Sequence, residues 1–157
     1  MKELLKTFYR FVLLLVPIAI IEIIAFYAVN ADTLSWYSTL HKPFFTPPSW
    51  VFGAVWPVLY FLMTIAACIV AQRRTLFSKP LRYYYLQLLC NGAYTPLFFG
   101  CHSPLSGLVA TLTLLIILIP LTQMFFKENK IAGTLLIPYV VWTLFASFLG
   151  LGVFLAN

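Results

Sequence analysis

WVFGAVWPVLYFLMTIAACIVA, residues 50–71, runs from end to end without a charged side chain. An α-helix needs roughly 20 apolar residues to cross the hydrocarbon of a bilayer, so this run is long enough to span one. Its flanks mark both ends. Pro43, Pro47 and Pro48 precede it, where prolines cost little because first-turn amides have no intrahelical acceptor, and Arg73 and Arg74 follow it.

The rest of the chain has the same character. Of 157 residues 62% are hydrophobic and only 9% charged, and the mean hydropathy is +0.96. A water-soluble domain could not cover its surface with so few charges. A bilayer accepts such a chain, because outward faces stay apolar while helices satisfy their own backbone groups. Four further apolar runs stand at residues 8–29, 81–100, 105–126 and 131–156. Ser78-Lys79-Pro80, Ser103-Pro104 and Lys127-Glu128-Asn129-Lys130 separate the later ones. The expectation is an all-α integral membrane protein: one domain, residues 1–157, folded as a bundle of five transmembrane helices. The longest connection, residues 30–49, mixes aromatics, prolines and one lysine and reads as a lid.

Charge sets the orientation. Lys2, Lys6, Arg10, Arg73, Arg74, Lys79, Arg82, Lys127 and Lys130 fall on one side of a five-span arrangement, and Lys42 alone falls on the other. The side rich in Lys and Arg is cytoplasmic, so the N-terminus is expected inside and the C-terminus outside. The net charge of +6 is explained by this topology. The cations form no patch suited to a polyanion, and no nucleic-acid partner is expected. The charged N-terminal stretch ahead of an apolar run resembles a signal peptide, but no small-residue cleavage site ends the run and Glu22 interrupts it. It is taken as the first helix of the bundle.

Polar and aromatic residues inside the runs are the candidates for function. Phe52, Trp56 and Tyr60 follow one another at i, i+4 and i+8, which puts three rings on one helical face. Such a stripe fits helix packing, an interfacial belt or a flat aromatic ligand. Gln87 and Asn91, again i and i+4, must point inward, since an amide facing lipid is left unpaired. Helix-to-helix bonding and ligand contact both fit them. Gly92, Pro96 and Gly100 form a small-residue face suited to close helix approach, within the chain or across a dimer. Trp142, Ala146 and Gly150 set a ring beside two small residues, as a ligand groove or a knob-and-hole contact would.

Other residues offer less chemistry. Glu22 lies mid-run, where a carboxylate is either protonated or paired, and it receives no role. His41 and His102 are isolated from each other and belong to no HExxH pair. Cys68, Cys90 and Cys101 form no CxxC and read as packing residues. No Ser/His/Asp or Cys/His set, carboxylate pair or phosphate-cradling glycine loop is evident, so no catalytic or metal-ligating residue is assigned. The lack of an inverted repeat counts against the usual secondary-transporter designs.

The run WYSTLHKPFFTPPSWVFGAVWPVLY, residues 36–60, resembles the signature of the translocator protein, or tryptophan-rich sensory protein, family. Gln87-Leu88 with Asn91, Phe98-Phe99-Gly100, and Pro138-Tyr139, Trp142, Phe145-Ala146-Ser147 and Leu149 extend the likeness in family order. The resemblance implies a clockwise bundle of five helices, usually a homodimer, with a pocket under the first loop. It implies porphyrins of the protoporphyrin IX type as ligands, with no cofactor required, and isoquinoline carboxamide or benzodiazepine compounds as further ligands. Carried over by position, the pocket involves Tyr37, Trp56, Gln87, Asn91, Trp142 and Ala146, to which the aromatic face adds Phe52. Lys42 would stand at its mouth, facing a porphyrin propionate or a lipid phosphate. The implied role is a receptor or carrier in tetrapyrrole sensing, transport or stress response. Light- or oxygen-dependent porphyrin degradation and transport of small hydrophobic molecules are the alternatives.

Tyr94, Gly150 and Ala110 depart from residues common in the family. Residues 151–157 lack the Tyr and Lys/Arg of the animal cholesterol pattern, so cholesterol binding is not expected and a bacterial cytoplasmic membrane is.

Overall fold

The computed structural model describes the backbone of residues 2–157 and side chains from Leu5 onward. Lys2, the first cation of the charge pattern, has its side chain outside the described residues. Six α-helices and no strand are found among the described residues. They are α1 (Lys2–Ala28), α2 (Ala31–Thr39), α3 (Ser49–Arg73), α4 (Lys79–Thr95), α5 (Pro104–Glu128) and α6 (Lys130–Ala156). A π-helical turn, Pro96–Gly100, extends α4.

The boundaries have local causes. Asn30 caps α2, its side chain accepting from the Thr33 amide while the Thr33 hydroxyl accepts from the Asn30 amide. Part of the connection expected as an irregular lid is therefore helical. The reciprocal Asn30–Thr33 cap offsets the weak apolar content that made the segment read as loop. Ser103 caps α5 by accepting from Ser106 N–H. Asn129 ends α5 and starts α6, accepting from the amides of Ile131 and Ala132. The break expected over four residues is thus a single non-helical residue.

The five longer helices pack in a ring: α1 on α3, α3 on α6, α6 on α5, α5 on α4, and α4 back on α1. Arg74 on the α3–α4 connection pairs with Glu128 at 2.9 Å, which joins it to the α5–α6 connection. At the opposite end, α2 lies on the π turn.

Four helices, α1, α3, α5 and α6, are long and apolar enough to cross a membrane. Burial shows why they need one. Only 17% of the residues in the most apolar stretch of α1 are buried in the protein. Among its described residues Leu14, Ile18 and Ile21 form the buried stripe, while Val12, Val16, Ile20 and Ile23 face outward. An outer face as apolar as the core requires an apolar solvent.

The small-residue face on α4 is only partly used. A Cβ on Gly92 would meet Ile21 of α1 at 2.8 Å, so close approach occurs there, whereas Gly100 has open space. Of the cysteines, Cys68 is buried and Cys90 half-buried, but Cys101 is exposed. Cys101 does not pack, because it lies just past the π turn, outside the helical seam.

The tightest approach between α5 and the π turn is at Gly107, where an added Cβ would lie 2.4 Å from the Phe98 ring and 3.1 Å from Phe98 Cβ. Gly107→Ala is expected to destabilise the protein by about 1–3 kcal/mol through overpacking. Gly100→Ala should shift stability by no more than about 0.5 kcal/mol. Thermal unfolding in detergent distinguishes them, and equal midpoints would mean that α5 does not seat on Phe98.

Candidate functional site

Gln87 and Asn91 both turn into the bundle, at 0% and 6% exposure. Their amides are joined to two tyrosines. Tyr60 of α3 donates to Asn91 Oδ1 at 3.0 Å, and Asn91 Nδ2 donates to the Tyr139 hydroxyl of α6 at 2.9 Å. That hydroxyl donates onward to Gln87 Oε1 at 2.8 Å, and Gln87 Nε2 reaches Met63 Sδ at 3.6 Å. One chain of hydrogen bonds thus ties α3, α4 and α6 together. Glu22 of α1 is exposed on its helix but interacts with the Tyr60 hydroxyl, the polar neighbour that its position in the sequence did not reveal.

The network carries an aromatic wall. Trp56 stacks on Tyr60 at 5.4 Å and meets the edge of Tyr139 at 6.1 Å. Closer to the lid, Trp142 meets Phe52 edge-on at 5.7 Å and Phe145 at 5.6 Å. Phe52, Trp56 and Trp142 therefore share one seam between α3 and α6. The indole nitrogen of Trp142 is buried without a hydrogen-bond partner, as is the hydroxyl of the adjacent Thr143. Ala146 is half-buried one turn further on. Gly150 belongs to the α5–α6 contact, since a Cβ there would lie 3.8 Å from Leu108 Cα. The small-residue face of α6 is a packing contact at that end.

Tyr37 stands apart from this wall. It rests on Phe98 and Phe99 of the π turn, with ring centroids 6.1 and 5.6 Å away. Lys42 Nζ sits 4.2 Å over its ring. Burial raises the Tyr37 phenol above its ordinary value, so it stays a neutral donor. Trp36 stacks on His102 at 4.9 Å, and His102 Nε2 lies 3.5 Å from Asp32 Oδ2. His102 also adopts a left-handed backbone, φ 49°, where the chain leaves the π turn.

The other half of the lid is fixed to α6. His41 N–H donates to Asn157 Oδ1, and Asn157 Nδ2 donates to the His41 carbonyl, each at 3.0 Å. Pro43 fills the space over Gly152, where a Cβ would lie 2.5 Å from its Cγ. Phe45 stacks on Phe148 at 5.4 Å. Residues 31–48 are thus attached to two different helices above the α3–α6 seam.

Chemically, the seam offers indole and phenyl faces and one unpaired indole N–H. Those features suit a flat, conjugated ligand. A separate apolar cavity of about 650 Å³ opens between α1 and α3 at the far end, lined by Phe8, Phe11, Ile65 and Ile69 among others, away from the proposed residues. Sequence reading passed over Tyr139 and Met63 as site residues. A tyrosine in an apolar run three positions before Trp142 was the available signal, since a buried phenol needs a partner.

The fold and this seam define an all-helical integral membrane protein with an aromatic, amide-supported interior beneath a tethered lid. Sequence comparison narrows the class. The match to the TspO/MBR family covers residues 11–155, and the chain belongs to that family. It is 40% identical to the tryptophan-rich protein TspO of Archaeoglobus fulgidus, over 78% of this chain and 80% of that protein. It is 37% identical to the tryptophan-rich sensory protein of Cereibacter sphaeroides, over 68% and 67%. It is 33% identical to the human translocator protein, over 76% and 73%.

The network makes a prediction about rank order. Tyr139→Phe strands both Asn91 Nδ2 and Gln87 Oε1 and is expected to destabilise by about 1–3 kcal/mol. Tyr60→Phe strands Asn91 Oδ1 as its one buried partner, the exposed Glu22 being able to turn to other partners, and should cost less. Thermal midpoints in one detergent test this, and a reversed order would remove Tyr139 from the centre of the network.

Proposed function

We propose that this protein is a membrane receptor or carrier that binds porphyrins of the protoporphyrin IX type in the α3–α6 seam beneath the lid. The observation that carries the reading is the wall of Phe52, Trp56 and Trp142, with the buried Trp142 N–H left without an acceptor. The macrocycle lies against the two indoles. Ala146, small and half-buried, lies one turn beyond Trp142, and Tyr37 and Lys42 stand at the lid end. Gln87 and Asn91 act by fixing Tyr60 and Tyr139, which set the plane of Trp56. A sensing role is supported by the name of the Cereibacter relative, a tryptophan-rich sensory protein.

In this reading the bundle has five spans. The 17 residues of α4 and the 5 of the π turn together supply the fifth. At about 1.5 Å per residue they reach roughly 30 Å, the thickness of the hydrocarbon layer. The basic end, with Arg73, Arg74, Lys79, Arg82, Lys127 and Lys130, faces the cytoplasm, and the lid and C-terminus face outward. The protein resides in a bacterial cytoplasmic membrane as a homodimer. Isoquinoline carboxamide and benzodiazepine compounds compete for the same seam.

Protoporphyrin IX titrated into the detergent-solubilised protein is expected to quench Trp fluorescence saturably. Trp56→Phe combined with Trp142→Phe should weaken binding, followed by porphyrin absorbance, by roughly tenfold or more. Trp50→Phe, at a position 71% exposed, should not. Unchanged affinity in the double variant would place the ligand elsewhere.

The lid has a separate signature. Asn157→Ala removes both bonds to His41 and should speed porphyrin release by roughly three- to tenfold, the range of one net hydrogen bond. An unaltered release rate in stopped-flow would show that this end of the lid does not gate the seam.

A further inference from the structure

The basic end of the bundle contains a recess of about 310 Å³ between the α3–α4 and α5–α6 connections. Arg74, Ser78, Lys79, Lys127 and Glu128 are among its lining residues. Three cations therefore face one carboxylate. That carboxylate is already engaged: Glu128 Oε2 accepts from Arg74 Nε at 2.9 Å. Arg73 Nη1 donates to the Glu128 carbonyl at 3.0 Å, which fixes the residue further. Lys79 and Lys127 have no carboxylate partner among the described residues.

Ser78 supplies an independent observation. Its hydroxyl is buried and has no hydrogen-bond partner. Ser78 is the N-cap of α4, yet its side chain makes no capping bond. A buried hydroxyl without a partner costs free energy unless something accepts from it. It lies where the first-turn amides of α4 begin, and a helix start favours negative charge. Pro80 contributes no N–H, so the amides of Lys79 and Leu81 are the first-turn donors on that side.

We propose that this recess is a phosphate-binding site, filled by the phosphate of an anionic phospholipid headgroup or by free phosphate. Ser78 Oγ donates to a phosphate oxygen, Lys79 and Lys127 supply the opposing charge, and the Arg74–Glu128 pair forms a fixed wall. The chemistry favours phosphate over a carboxylate, because a tetrahedral anion can accept from a hydroxyl, a helix start and two ammonium groups at once. An occupied recess would bridge both connections at this end. It is separate from the porphyrin seam, and the proposal stands whether or not that seam binds porphyrin.

The test uses the full chain in a neutral detergent, with native mass spectrometry counting bound lipid. Phosphatidylglycerol is expected to bind more tightly than phosphatidylcholine. Lys79→Gln with Lys127→Gln should weaken phosphatidylglycerol binding by roughly tenfold or more. Ser78→Ala, which leaves every charge in place, should weaken it by roughly threefold. Arg82→Gln with Lys130→Gln removes the same charge from this end outside the recess and should change binding little. Displacement of the lipid by excess inorganic phosphate supports the site with free phosphate as a ligand. Retained lipid under the same conditions supports it with the headgroup as ligand. Equal weakening by both charge pairs would assign the effect to diffuse surface charge and overturn the proposal. Equal binding of the two lipids, with no displacement by phosphate, would overturn it as well.

Discussion

Asn91 lies where α3, α4 and α6 converge, and its amide must be paired on both sides because neither water nor lipid reaches it. Tyr60 satisfies its oxygen and Tyr139 its nitrogen. Tyr139 has donor capacity left, and Gln87 takes it. The arrangement fixes the register of three helices at once. Sliding α6 by one turn would strand an amide from each of two residues, and in an apolar interior that cost is not recovered elsewhere. The positions of the indoles follow. Trp56 is one turn before Tyr60 on α3, and Trp142 is about one turn after Tyr139 on α6, so a register set by hydroxyls and amides places both rings in the same seam.

The opposite constraint acts at the lid end, where few polar bonds are available and rings do the positioning. Phe98 is the common element: it meets Trp36 and Tyr37 from the lid, stacks with Tyr94 on its own helix, and abuts Gly107 of α5. The π turn makes this possible. Widening the helix lets the Cys101 amide reach the Pro96 carbonyl at 3.1 Å and the Ser103 amide reach the Phe98 carbonyl at 3.1 Å, so the backbone stays satisfied while Phe98 and Phe99 turn toward α2. Proline at the start of the turn suits this, since it has no amide to lose.

Much of this was legible because lipid is a demanding solvent. A run such as residues 50–71 has few other uses, and Gln87 and Asn91 have one tolerable direction, so the helical class and the inward amides followed from composition and spacing. What could not be read was partnership. Nothing in the spacing says that Tyr139 sits between the two amides, or that Glu22 lies beside Tyr60. The Asn30–Thr33 cap escaped notice because threonine stands where a capping box usually has Glu or Gln, and α2 carries no apolar period. Tyr37, carried over by motif position as the contribution of the first loop to the pocket, has its ring on Phe98 and Phe99 of the π turn, a contact that only the three-dimensional path of the lid reveals. The wall itself depended on both kinds of reading: periodicity gave the ring faces, and family likeness joined α3 to α6.

Within the proposed complex, these two regimes fix which way a porphyrin faces. Gln87 and Asn91 have their amide oxygens and one N–H each engaged within the bundle, so the network end offers mainly ring surface. The unpaired Trp142 N–H lies nearer the lid, and Lys42 sits beyond it over Tyr37. A macrocycle with polar substituents on one side therefore enters with its apolar edge toward Trp56 and its carboxylates toward Lys42. The reverse orientation would bury two charges at the apolar, ring-lined end of the seam, away from any cation, at a cost of several kcal/mol per ion. In the same proposed complex the lid, held at Asn157 beside α6 and at the π turn, would cover the end of the seam where a charged ligand edge can be met by protein and water together.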